Sequence, residues 1–312
     1  VEVEKQIGGA GETRPPGVPP DGLTRWQRVE MASMRVPFRV KLALVWLGVF
    51  TVLGILFALV GFDVAWMGDH VEFIALGLPF TLIISVAAII LALILATLGA
   101  LARLSRNPVA FGVSGFYVSF FRGTPLIVQI FLINFGLAQI GSNLRADGHT
   151  WGELLIFPPI LSGVLALGLN YGAYMTEIFR AGIQSVAHGQ AEAAQALGMT
   201  YAQMMRRVIL PQAVRVIIPP TGNEFIAMLK DSALVSFIGV AVAQMEVFRR
   251  AQLLGTRDFR PFEALVLAAV MYWALTTVFT FFQQRLERRL SRGYVRAGSF
   301  QLAGGGHGGH AG

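Results

Sequence analysis

Six stretches of this chain are apolar for long enough to cross a lipid bilayer, and that fact removes most of fold space. A helical span needs roughly 20 predominantly apolar residues. The blocks at 42–62, 73–102, 125–141, 158–179, a broken stretch at 213–243 and 262–282 meet or approach that length. The expectation is an all-α, polytopic helical membrane protein with about six transmembrane helices. A composition of 54% hydrophobic and 14% charged residues fits this class. The first block follows a polar segment of 41 residues and lacks a small-residue cleavage site after it, so it reads as a retained anchor rather than a signal peptide. With no cysteine, the chain offers no disulfide, thiolate metal site or thiol nucleophile.

Orientation follows from Lys and Arg near the span ends. Arg25, Arg28, Arg35, Arg39 and Lys41 precede the first span, whereas Asp63, Asp69 and Glu72 follow it, which places the N-terminus in the cytoplasm. Alternation returns Arg103 and Arg106 inside, puts Arg145, Asp147 and Glu153 outside, and leaves Arg206, Arg207 and the basic tail from Arg285 to Arg296 inside. One loop runs against the rule, because Arg249, Arg250, Arg257 and Arg260 fall outside. The net charge of +7 is accounted for by this asymmetry and by lipid head groups, so no nucleic-acid partner is expected. Residues 8–22 are rich in Gly and Pro and the C-terminus reads GGGHGGH, so both ends are expected to be disordered. His307 and His310 read as part of a flexible tail rather than a metal site, and no metal site is expected elsewhere.

Between two apolar blocks lies AEAAQALGMTYAQMMRRVILP, residues 191–211, too short and too polar to span. Gln190 to Leu197 are good helix formers, and Gly198 stands where a left-handed helix stop is wanted. Thr200 and Gln203 have capping-box spacing, with Met199 and Met204 as a hydrophobic staple. Tyr201, Met204, Met205 and Val208 then recur at helical spacing, and Pro211 is expected to stop the element. Two short helices joined at a glycine elbow result. Local physics allows a plug for a groove on another protein, or an amphipathic element resting on head groups with Arg206 and Arg207.

A resemblance favours the first. Glu192-Ala193-Ala194, then Gly198, Val208, Leu210 and Pro211, resembles the EAA loop of the membrane subunits of ATP-binding-cassette importers, with Val208 for the usual isoleucine. SFFRGTPLIVQIFLINFGL (119–137), NYGAYMTEIFRAGIQS (170–185) and PPTGNEFIAMLKDSALVSFIG (219–239) are similar to the polar amino-acid uptake branch, the histidine and glutamine permeases. The segment before Glu192 departs from the pattern, lacking a proline and having Ala191 for a larger residue. The resemblance implies the type I importer transmembrane fold over residues 73–285, preceded by a cytoplasmic arm (1–41) and an additional span (42–62) and followed by a cytoplasmic tail (286–312). It implies that the loop is a coupling helix docking on a separate ATPase subunit. It also implies an extracytoplasmic binding protein, a second permease copy or homologue, and a bacterial inner-membrane location.

The residues agree on the division of labour. A P-loop needs a Gly-rich turn followed by Lys and Ser or Thr, and Lys5, Lys41 and Lys230 are the only lysines, none in that setting. ATP is therefore expected on a partner, with no cofactor and no enzymatic site here. Polar residues inside spans are candidates for the path. Asn170, Tyr174 and Glu177 fall on one helix face, where Glu177 either meets a substrate cation or pairs with Arg180. Lys230 and Asp231 either neutralise each other or contact a zwitterion, and Pro219 and Pro220 are expected to break the helix upstream of them. Gln129 and Asn134 line the path or join helices, and Arg122 to Pro125 read as an elbow at the membrane surface. A permease for another small polar solute, a secondary carrier and a membrane scaffold are the other readings.

Overall fold

The computed structural model describes residues 26, 37–186 and 188–290. The Gly/Pro-rich segment 8–22, nearly all of the N-terminal arm and the tail containing His307 and His310 lie outside the described residues. Every regular element among the described residues is helical. The chain divides into two units, Val1–Asp63 and Val64–Gly312.

The first unit holds helix α1 (Phe38–Val60), which begins four residues before the expected block. Gly61 ends it with φ 71°, its N–H donating to the Ala58 carbonyl at 3.3 Å. The segment Phe38–Leu59 has a mean hydropathy of 2.6 and is 0% buried. A helix apolar all round and long enough to cover about 33 Å is a span.

In the second unit, α2 (Val64–Ala75) leads into α3 (Leu78–Leu104), α4 (Pro108–Gly123) and α5 (Leu126–Ala146), which contains a π-helical turn at Leu132–Gly136. Next come α6 (Pro159–Gln184) and α7 (His188–Ala196). Helix α8 starts with a turn at Tyr201–Met204, passes through a π-helical turn at Met205–Ile209 and continues as Leu210–Asp231. Short 3₁₀ segments then lead to α9 (Val247–Arg257) and α10 (Pro261–Leu290).

Helices α3 and α6 form the centre and run parallel. A Cβ on Gly168 would lie 2.6 Å from Leu91, one on Gly172 2.9 Å from Leu95, and one on Gly99 would strike Thr176. Ala88, Ala92, Ala96 and Ala100, every fourth residue of α3, are at most 1% exposed. Lipid tails are as apolar as leucine, so helices gain little from burying greasy surface and associate through close packing of small residues. Helix α8 runs antiparallel to α6, since Ile217 packs where Gly182 has no side chain and Val235 where Gly163 has none.

Four described helices are long and apolar enough to cross a membrane: Phe38–Leu59, Val64–Leu104, Leu126–Ala146 and Pro261–Leu290. The expected spans at 158–179 and 213–243 fold as α6 and as α8 with its 3₁₀ continuation, but their polar residues keep them below that composition. The expected span at 73–102 breaks at Leu76–Gly77, where Pro79 in the first turn of α3 has no N–H to continue the preceding helix, and Gly77 lies so close to Val247 that a Cβ would be 2.5 Å from its backbone nitrogen.

Three proline-related expectations are corrected. Pro211 does not stop its element: the π-helical turn just before it, with the Leu210 N–H bonded to the Met205 carbonyl, fits the ring into a continuing helix. Pro219 and Pro220 sit inside α8 without breaking it. They leave the Arg215 and Val216 carbonyls without helical donors, and side chains brace the helix on either side, Thr221 Oγ1 donating to the Ile217 carbonyl (2.8 Å) and Gln283 Nε2 to the Pro219 carbonyl (3.2 Å). The elbow at Arg122 to Pro125 is not at the surface. It meets Asn170, near the middle of α6, because the 16-residue α4 reaches only part-way back along the unit before α5 completes the crossing.

The arginines that run against the charge rule each have a local partner. Arg249 donates to Gln252 Oε1 at 2.6 Å, and Arg257 pairs with Asp258 at 2.6 Å and Arg260 with Glu263 at 3.3 Å. Arg250 donates to the carbonyls of Met245 and Phe73 and lies over the Phe73 ring. The hydrogen bond from Arg257 holds the Asp258 carboxyl down at about 2, so that pair stays charged at any physiological pH.

Substituting Gly172 by Leu pushes the new side chain into Tyr117 and Leu95. Overpacking of this kind costs about 1–3 kcal/mol or more. The expected outcome is a clear drop in the thermal midpoint of the detergent-solubilised protein, whereas Leu98→Ala on the 61% exposed face of α3 leaves it nearly unchanged.

Candidate docking loop and translocation path

The loop forms as its sequence requires. Helix α7 closes with Gly198 at φ 75°, the Gly198 N–H donating to the Gln195 carbonyl (2.9 Å) and the Met199 N–H to the Ala194 carbonyl (3.1 Å). The Thr200 N–H donates to Gln203 Oε1 at 3.0 Å and the Gln203 N–H to Thr200 Oγ1 at 3.3 Å, a complete capping box. Ala194, Met204 and Ile209 form a buried cluster against which Met199 and Ile183 pack. That cluster fixes which side of the loop faces away. Glu192, Ala193 and Ala196 are exposed with Gly198, while Leu197 and Tyr201 are 79% and 66% exposed. Leu210 is half-buried and Pro211 exposed, beyond the π-helical turn. A flat face of small residues flanked by two large ones is the shape of a plug.

The polar residues of the spans sort into three groups. Asn170 and Gln129 join each other, Asn170 Nδ2 donating to Gln129 Oε1 at 3.0 Å. Both also donate to the Phe121 carbonyl, and Gln129 Nε2 reaches Thr124 Oγ1 at 2.8 Å. Together they tie α4, α5 and α6 at the elbow. Glu177 pairs with Arg180 at 2.7 Å and lies 3.6 Å from Arg103 at the end of α3. That pairing was one of the two readings open from the sequence.

The third group carries charge of both signs, with Tyr171 buried, Glu224 and Asp231 half-buried, and Arg122 and Lys230 exposed. Tyr171 donates to Asp231 Oδ2 at 2.7 Å, so Asp231 bonds across to α6 rather than to its neighbour Lys230. Lys230 is exposed and makes no ion pair among the described residues. Glu224 lies within electrostatic reach of Asp231 and Arg122, and the Arg122 guanidinium sits 5.2 Å from the centre of the Tyr174 ring, which is 38% exposed. Two carboxylates, one guanidinium and two phenols thus gather beside the middle of α6 and the C-terminal part of α8, with Lys230 next to Asp231 in the chain. The face Asn170–Tyr174–Glu177 expected from helical spacing is therefore divided, with Tyr174 alone in this cluster. Glu224 and Tyr171 were missed from the sequence. The spacing of Glu224 and Asp231, two turns apart on one helix face, is the signal that could have found them.

The chain's relatives can now be compared. The model of a family described as the binding-protein-dependent transport system inner membrane component matches residues 88–292. The chain belongs to this family. It is 39% identical over 217 residues to the probable amino-acid permease protein YxeN of Bacillus subtilis, covering 70% of this chain and 91% of that one. It is 40% identical over 220 residues to the arginine transport system permease protein ArgU of Corynebacterium glutamicum, covering 69% and 67%. A chain in the crystal structure of an amino acid ABC transporter with histidines is 38% identical, matches with a TM-score of 0.64, and covers 73% of this chain and 98% of that one. The matched region lies within the second unit, and α1 precedes it.

Replacing Asn170 by Leu removes two donors and leaves the Gln129 Oε1 without its partner in a buried site. The expected cost is about 1–3 kcal/mol for the stranded polar atom. Thermal unfolding in detergent should show a loss of that order, and Asn170→Leu,Gln129→Leu should recover part of it.

Proposed function

We propose that this chain is the permease subunit of an ATP-driven importer of polar amino acids, held in a bacterial inner membrane with both termini in the cytoplasm. The observation that carries the reading is the cluster of Arg122, Tyr171, Tyr174, Glu224 and Asp231 between α4, α6 and α8, with the exposed Lys230 next to it in the chain, within a family whose loop geometry is fully formed here. An unpaired ammonium is costly inside a bilayer and belongs on a water-filled path. Lys230 and Arg122 suit the α-carboxylate of an amino acid, and Glu224 and Asp231 suit its α-ammonium or a cationic side chain. The names of relatives that carry arginine, cystine or glutamine support the class. Asn170, Gln129 and Glu177 take positioning roles, since their polar atoms are engaged within the protein.

Energy comes from a partner ATPase subunit that receives the exposed face of Glu192, Ala193, Ala196, Leu197 and Tyr201. Ala194, Leu210 and Pro211 shape that face from behind, where Ala194 is 3% exposed. Because α8 is continuous from Tyr201 to Asp231 through the π-helical turn, a push on the loop is delivered along one helix to the substrate cluster. A binding protein supplies substrate from outside, and a second permease copy or homologue completes the path.

Two sets of variants test this in proteoliposomes that also contain the ATPase and the binding protein. Glu192→Lys reverses the charge on the docking face, and Gly198→Val places a β-branched residue at φ 75°. Each should cut uptake while the protein still inserts and the ATPase still hydrolyses ATP; normal uptake at normal expression would refute the docking role. Glu224→Gln should lower uptake tenfold or more, as expected when a charge partner worth about 2–5 kcal/mol is removed. Glu177→Gln and Arg180→Gln should share a smaller effect on both stability and uptake. Wild-type uptake by Glu224→Gln of every amino acid tried would sink the assignment of the path.

A further inference from the structure

At the turn between α9 and α10, the end of the unit away from the docking loop, the chain does something expensive. Phe259 has φ 56° and is the only described residue other than glycine with positive φ. A bulky side chain rarely occupies that region, where glycine is the ordinary choice. The turn around it is held from several sides. The Asp258 N–H donates to the Leu254 carbonyl at 3.0 Å and the Arg260 N–H to the Gly255 carbonyl at 2.9 Å, which closes α9 with Phe259 in the left-handed position. The Asp258 carboxylate is gripped by Arg257 and by Trp66 Nε1 at 3.1 Å. Gly255 is needed for closeness, since a Cβ there would lie 2.9 Å from Pro261. Glycine is thus used at 255 and not at 259, where conformation alone would call for it. Yet the Phe259 ring packs on nothing: it is 92% exposed and makes no ring contact among the described residues. Strain of this kind persists where the side chain has a task outside the fold.

The height of the ring says what that task is. Between Glu263 and Arg285 the chain carries no charged residue, a stretch that at 1.5 Å per residue covers about 32 Å and so matches the hydrocarbon core of a bilayer. Phe262, Leu265 and Trp273 are 42%, 44% and 72% exposed on α10 and form its lipid-facing side. Phe259 lies just before Pro261, where α10 begins, and so stands a few ångströms beyond the hydrocarbon edge, at the boundary of head groups and acyl chains where interfacial segments bury Trp, Phe and Leu. Its neighbours Arg257 and Arg260 are engaged by Asp258 and Glu263, which leaves the ring as the outward-facing apolar group of the turn. We infer that Phe259 is a membrane-interface anchor: its strained backbone directs the ring into the lipid head-group layer and fixes the depth of α9 and of the start of α10.

The absence of cysteine makes a clean test possible. Phe259→Cys and Asp147→Cys, the latter on another exposed turn at the same end, are each given a nitroxide label. The labelled permease is reconstituted with its ATPase in vesicles of phosphatidylethanolamine and phosphatidylglycerol. Collision with oxygen should exceed collision with a water-soluble nickel chelate at position 259, at a depth near the head groups, and the reverse should hold at position 147. Adding saturating binding protein should leave the 259 spectrum unchanged. As a second variant, Phe259→Gly should keep or raise the thermal midpoint in detergent by relieving the backbone. Free access of the nickel chelate to position 259 would overturn the inference. So would immobilisation of the label by the binding protein, dipolar broadening between two copies, or a lower midpoint for Phe259→Gly, each of which means that the ring contacts protein.

Discussion

The close approach of α3 and α6 is the constraint on which the rest of the second unit depends. Inside lipid, two helices gain little by covering leucines, so they must come near enough for backbone and small side chains to touch. Ala88, Ala92, Ala96 and Ala100 provide one such surface, and Gly168, Gly172 and Thr176 the other. Everything else is placed by this pair. Tyr117 of α4 donates to the Leu169 carbonyl of α6 at 2.7 Å, and Ser114 of α4 to the Gly99 carbonyl of α3 at 2.9 Å. Each bond uses a carbonyl that becomes reachable only where a neighbouring residue is small.

Around this pair the protein handles buried polarity in two different ways. At the elbow, the amides of Gln129 and Asn170 are saturated by carbonyls and by each other, which gives a rigid joint. At the cluster of Arg122, Tyr174, Glu224 and Asp231, charges of both signs are brought within reach of one another, and Tyr171 bonds to Asp231. The first arrangement has no vacancy for a ligand. The second has charges of both signs and a ring that is 38% exposed, which is why the proposed path runs there and not through the joint.

Much of this was legible in the sequence. The apolar blocks gave the class, and the turn and cap of the loop at 191–211 could be read almost atom by atom, because Gly198, Thr200 and Gln203 act through local backbone geometry. The family signature marked the same loop. The prolines were harder, since whether Pro211 or Pro219 ends a helix depends on the turn before it and on the helices packed around it, and spacing alone does not carry that information. The outer arginines misled for a similar reason: a charge count treats Arg250 as free, whereas it is 7% exposed beneath Met245 and Phe73. Glu177 showed the limit of reading one helix face, because Arg103 reaches it from another helix.

The π-helical turn at Met205–Ile209 sets a phase as well as easing Pro211 into its helix. An α-helix advances about 100° per residue, so one residue more or fewer turns everything on one side of it by that angle relative to the other. The face bearing Tyr201 and the face bearing Glu224 and Asp231 therefore hold their relative bearing because of one local irregularity. Deleting a single residue there would leave both faces intact in composition, length and hydropathy, yet aimed in directions that no longer correspond.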